Sequence, residues 1–148
     1  MRYFFLVVLM FAAFSTYASA SPCDGVDRNL PSSRKEVLAP EIVKQLNETL
    51  DPEIAKELNI QYVDIIRSFR IGGWSILFIK PDRGEVLFLF YVHDPLTSYY
   101  VAMWSGVAMS SEEKAIRSWT FKNVPGIPKK LAACFAWHVT NDKAYREW

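Results

Sequence analysis

Between Ile60 and Ala108 the chain alternates apolar and polar residues with a period of two, and β-branched and aromatic side chains dominate the stretch. Three turn signals divide it. Gly72-Gly73 is a two-residue hairpin turn, Pro81-Asp82-Arg83-Gly84 a four-residue turn with glycine placed for positive φ, and Asp94-Pro95 opens the third. Connections this short leave no room for a crossover helix, so each strand must run antiparallel to the one before it. The stretch predicts a four-stranded antiparallel meander in sequence order.

Helical patterns flank it. Leu38 to Asn47 and Leu50 to Asn59 echo one another, each with Pro then Glu near its start, Ile and Leu four apart, and a closing Asn. Asp51 is a good N-cap for the second copy and Ala39 a poor one for the first, so two short helices, or one kinked at Pro52, are expected after a turn-rich arm over 21–33. After the sheet, Ser110 and Glu113 suggest a capping box for a helix running to Lys122 with Ala115, Ile116 and Trp119 inward. Asn123-Val124-Pro125-Gly126 ends it, and Pro128 starts a last helix with Leu131, Cys134, Phe135 and His138 on its buried side. The tail with Trp148 is expected to fray. The expected fold is α+β, a single domain over 21–148 with N-terminal and C-terminal helices packed on the sheet.

Residues 1–20 read as a signal peptide: Arg2, an apolar run from Phe4 to Phe14, and Ala18-Ser19-Ala20 as the cleavage site. Cleavage near Ala20 leaves 128 of the 148 residues, with no later apolar run long enough to cross a bilayer and no Cys placed for a lipid anchor. The expected location is periplasmic or secreted. Without Arg2 the basic residues number 16 against 16 acidic, which argues against a nucleic-acid partner. In an oxidising compartment Cys23 and Cys134 are expected to form a disulfide, closing a loop of about 110 residues and pinning the N-terminal arm. A Cys2His2 metal site from Cys23, Cys134, His93 and His138 competes, but only Cys134 and His138 have ligand spacing, so no metal is expected.

With a two-residue turn pairing Phe69 with Ile76, a four-residue turn pairing Ile76 with Leu89, and Leu89 opposite Val101, one sheet face carries Val63, Ile65, Phe69, Trp74, Ile76, Phe78, Leu87, Leu89, Tyr91, Val101 and Met103. Only Arg67 interrupts it. The other carries Asp64, Ser68, Arg70 and Ser75 on one half and Leu77, Phe88, Phe90, Tyr100 and Trp104 on the other. A second covered layer explains those rings; so does a partner-binding surface anchored by Phe88, Phe90, Tyr100 and Trp104 and rimmed by Arg70 and Asp64.

Catalytic strings are missing. Ser105 lacks the glycine two residues earlier that a nucleophile elbow needs. Asp82, Glu85, Glu112 and Glu113 are explained by turns and a helix start. No phosphate loop, dinucleotide fingerprint or HExxH string occurs, and no cofactor is implied.

Ser68 to Trp74 (SFRIGGW), Pro125 to Pro128 (PGIP) and Cys134 to Thr140 (CFAWHVT) resemble small exported proteins of Gram-negative bacteria, a group with no assigned activity. The resemblance implies a bacterial host and a periplasmic address; it transfers no catalytic or binding residue. The leading expectation is a non-enzymatic binding module whose partner is another envelope protein, such as a hydrolase it inhibits or confers immunity to. Two alternatives stand beside it: a small hydrolase using His93 or His138 with a carboxylate such as Asp64 or Asp94, and a carrier of a small apolar ligand.

Overall fold

Four strands, β1 (Val63–Ile71), β2 (Trp74–Pro81), β3 (Leu87–Tyr91) and β4 (Ala102–Ser105), form one antiparallel sheet in sequence order, as the short turns require. Helices α1 (Ser32–Thr49) and α2 (Pro52–Leu58) precede it, and α3 (Glu113–Asn123) and α4 (Lys129–Asn141) follow, an α+β arrangement. The computed structural model describes residues 20–142; the expected signal peptide, apart from Ala20, and the tail with Trp148 lie outside them.

The echoed segments have different fates. Asp51 caps α2, its Oδ1 accepting from the backbone N–H of Glu53 at 2.9 Å and of Ile54 at 3.4 Å, with Pro52 at the first position. Pro40 instead lies inside α1, which already starts at Ser32. Proline offers no N–H to the Glu36 carbonyl one turn back, but Glu36 and Pro40 are both exposed, so water can take that acceptor. The start of α3 also differs from expectation. A 3-10 turn at Ser110–Glu112 precedes it, and Glu112, not Ser110 or Glu113, closes the end by accepting from the Met109 N–H at 2.7 Å. Ile116 is buried and Trp119 half-buried, whereas Ala115 is exposed. In α4, Leu131, Cys134, Phe135 and His138 are all buried. A disulfide joins Cys134 to Cys23, so neither sulfur is available to a metal.

The face assignment is where the structure corrects the sequence. Phe69 opposes Ile76, as the Gly72-Gly73 turn predicts. Ile76, however, opposes Phe90, and Leu89 opposes Leu77 and Met103. Alternation makes a one-residue slip invert every side chain of β3 and β4. The cause is Asp82. Its N–H donates to the Tyr62 carbonyl at 2.9 Å, and its Oδ1 accepts from the N–H of Gln61 at 3.2 Å and of Tyr62 at 3.4 Å, tying the turn to the start of β1 so that pairing with β3 begins only at Leu87. β1 adds a bulge: Ile65 opposes Ile79 but Arg67 opposes Phe78, which places Val63 and Ile65 on the face opposite Phe69.

Both faces are therefore covered, giving three layers. Val63, Ile65, Leu77, Ile79, Leu89 and Tyr91 pack against Leu38, Ile42 and Leu46 of α1. On the other side Phe69, Ile76, Phe78, Phe88 and Phe90 pack against Leu131, Phe135 and Val139 of α4. Phe88 and Phe90 are 0% exposed, with Phe135 edge-on to them at 5.1 and 4.9 Å, so these two rings are core and not an open surface. Val101, expected inside, is 52% exposed.

Candidate functional site

The connection from β3 to β4 is held down by α1. Gln45, buried in that helix, donates through Nε2 to the carbonyls of Pro95 at 2.8 Å and Ser98 at 3.1 Å, while its Oε1 accepts from the Tyr91 hydroxyl at 3.0 Å. Burial pushes the Tyr91 phenol well above its ordinary range, so it stays a donor. Farther along, the Tyr99 hydroxyl bonds Glu48 and that of Tyr100 bonds Thr49. These anchors fix His93-Asp94-Pro95 against the tip of the β1–β2 hairpin. The approach is close: a Cβ on Gly73 would sit 3.3 Å from the Val92 carbonyl oxygen.

A cleft of about 220 Å³ lies there, lined by Arg34, Arg70, the Gly72-Gly73 turn, Ser75 and His93 to Pro95. Arg34 reaches it from the first turn of α1 and donates to Asp94 Oδ1 at 2.6 Å. That turn has no acidic residue and no side-chain cap, so Arg34 and Lys35 sit at the positive end of a helix dipole that disfavours them. Arg70 enters from β1. Its backbone forms a two-way bridge with Asp27 of the arm at 2.8 and 3.0 Å, and its Nη2 pairs with the Asp27 carboxylate and donates to the Asn29 carbonyl at 3.3 Å. The Asn29 N–H and then Arg70 hold the Asp27 carboxyl below its ordinary value; the Leu96 N–H and then Arg34 do the same for Asp94. Both stay ionised at neutral pH.

Ser75 stands opposite Arg70 in the β1–β2 register and is 7% exposed. Among the described residues neither its Oγ nor Arg70 Nε has a hydrogen-bond partner, and Ser68 Oγ, two residues from Arg70 on the same face, is in the same condition. A buried polar group left unpaired costs about 1 to 3 kcal/mol. Such groups are scarce in folded proteins, and here two of them belong to residues that face each other in the β1–β2 register and line one cleft.

The residues expected to bind a partner do not form one surface. Arg70 lines the cleft. Asp64 lies along the exposed margin of β1, in a separate groove of about 220 Å³ with Tyr62 and Ala39. Phe88 and Phe90 are core; Trp104, half-buried, packs on Phe135 at 5.6 Å, while Tyr100 packs through the other face on Tyr91 at 6.3 Å. Arg34, Ser75 and Gln45 were absent from the sequence-based set. For Arg34 the signal was the basic pair at a helix start, hidden because Pro40 marks that start in the wrong place. Ser75 read only as one of the polar residues on one half of a sheet face, and Gln45 carries no local signal.

The histidines separate the two parts of a hydrolytic site. His138 Nδ1 lies 3.0 Å from Asp142 Oδ2, which Arg67 also holds at 2.9 Å. The imidazole is 3% exposed among Phe69, Phe78 and Phe88 at 4.9, 6.1 and 5.9 Å, and burial lowers its pKa to about 4 against the opposing pull of Asp142. His93 lines the cleft, but no hydrogen bond joins it to a carboxylate among the described residues. No family model matches this chain, and no curated protein or solved structure matches it. Among the described residues no helix is long and apolar enough to cross a membrane, and no cluster of three or more His, Cys, Asp or Glu is arranged for a metal.

Proposed function

We propose that the protein is an exported binding module that seats one polar group of a partner in the cleft between α1, the β1–β2 hairpin and the loop after β3. The observation that carries this reading is the pair of buried, unpartnered donors, Ser75 Oγ and Arg70 Nε, on facing residues that line one cleft. Polar groups kept unpaired at a site clamped by Gln45 suit a ligand that pairs them on arrival. The Cys23–Cys134 disulfide is consistent with a location outside the cytoplasm. Together with the signal-peptide pattern of residues 1–20 and the resemblance to small exported proteins of Gram-negative bacteria, it supports a periplasmic address. The partner in this reading is another envelope protein, in an inhibitor or immunity-type relation to a hydrolase. A hydrolase reading for this chain is weaker, because the acid-paired histidine is enclosed by rings and the cleft histidine is hydrogen-bonded to no carboxylate among the described residues.

The test is capture from periplasmic extract on the immobilised, disulfide-bonded protein and on two variants. One protein should be retained by the wild type and by Phe121→Ser on α3, and be lost from Arg34→Ala. Equal retention by all three, or retention of nothing, overturns the reading.

A further inference from the structure

Resting on that reading, we infer that the group seated in the cleft is a single carboxylate. The donors come first. Facing residues of an antiparallel pair bring their Cβ atoms within about 5 Å, so Arg70 and Ser75 border the same part of the cleft. Arg34 and His93 stand along the same cleft. Every one of these side chains can donate, and the guanidinium forks match the two oxygens of a planar carboxylate.

Charge then selects among anions. Each arginine already carries an internal carboxylate, Asp94 on Arg34 and Asp27 on Arg70, so the charges of these four groups sum to zero. A phosphate dianion would face that balanced set with two charges and stand close to Asp94. A carboxylate brings one. It requires only the guanidinium edges that the aspartates leave open, of which Arg70 Nε is buried and unpartnered. A neutral carbonyl would accept from the same donors, but it offers one oxygen where a carboxylate offers two to a guanidinium fork, and it brings no charge to the arginines.

Size sets the last limit. At about 220 Å³ the cleft is smaller than the roughly 300 to 1,000 Å³ of whole-ligand pockets. It holds a terminal group, either a small free acid or the end of a peptide chain.

The experiment is an NMR titration of the disulfide-bonded protein, following the backbone amides of Gly72, Gly73, Ser75 and His93. The probes are acetate, N-acetyl-trialanine with a free carboxylate, the same peptide amidated, and inorganic phosphate. Acetate and the peptide acid should move these amides, the amidated peptide should not, and Ser75→Ala should weaken carboxylate binding about tenfold. Movement by the peptide acid alone assigns a chain end; equal affinity for acetate assigns a small acid. Tighter binding of phosphate, equal binding of the amidated peptide, or an unchanged affinity in Ser75→Ala overturns the carboxylate assignment while leaving the cleft a binding site. If no probe moves the amides the assignment falls, and Arg34-dependent capture from extract still decides the broader reading separately.

Discussion

The two sides of the sheet solve the same burial problem differently. Under α4 the interior is closed by rings: Phe78 stacks on Phe88 at 4.5 Å, Phe135 sits edge-on to Phe88 and Phe90, and His138, whose imidazole packs among these rings, turns its Nδ1 to Asp142. Under α1 the interior also takes in polar groups. Gln45 and Tyr91 satisfy each other and the loop carbonyls, whereas Ser68, Ser75 and Arg70 retain unpaired atoms toward the hairpin end. The difference shows that the chain can satisfy a buried amide completely a short distance from where it leaves hydroxyls unmatched. A local breach of polar pairing, in a fold otherwise consistent across its levels, is the pattern expected where a binding site is built at the expense of stability.

The largest expected effect tests the closed side. Phe88→Ala removes a fully buried ring from contact with Phe78, Phe135, Trp104 and His138, and should lower unfolding stability by about 3 to 5 kcal/mol in urea titration. A cost below about 1 kcal/mol, typical of surface positions, would erase the contrast between the two faces.

That contrast was only half legible in the sequence. The strand count, order and hairpin at Gly72-Gly73 follow from local alternation and short turns, and the buried side of α4 follows from helical spacing. The faces of β3 and β4 do not, because they depend on whether the β2–β3 turn closes on itself or is drawn toward Gln61 and Tyr62 by one aspartate, a contact about 20 residues away in sequence. The rings were recognised as apolar and assigned to the wrong side. The cleft was less legible still. Arg34, Ser75 and His93 come from α1, β2 and a loop that converge only in three dimensions, and the exposed Glu36 that tolerates Pro40 inside α1 could not be distinguished from a helix start.

A smaller effect probes His138 in the ring cluster. With its pKa lowered from 6.5 to about 4, His138 is neutral in the folded chain over a range in which the unfolded chain takes up a proton. The unfolded state binds more protons there, so stability is full above pH 6.5 and declines as pH falls toward 4, by about 2 to 3 kcal/mol. Asp142 limits the loss by favouring the imidazolium, and Arg67 and Arg28 add to it. Other carboxylates titrate in the same range, so the comparison is with His138→Gln, which does not titrate; its stability should vary less between pH 6.5 and 4. Equal slopes would mean that the ring side admits a charge as readily as the α1 side admits polar groups.

The smallest effect has the opposite sign and bears on the cleft directly. Ser75→Ala removes a buried hydroxyl that has no partner and leaves a methyl of similar shape, so the folded state should gain about 1 kcal/mol and melt a few degrees higher. A serine held only for structure would behave in reverse, because its loss would leave some other group unpaired. Higher stability together with weaker carboxylate binding would show that stability and recognition conflict at one atom, on the side of the sheet where the polar groups are unmatched. If Ser75→Ala instead lowers the melting temperature, the hydroxyl has a structural partner and the two faces are equally well satisfied.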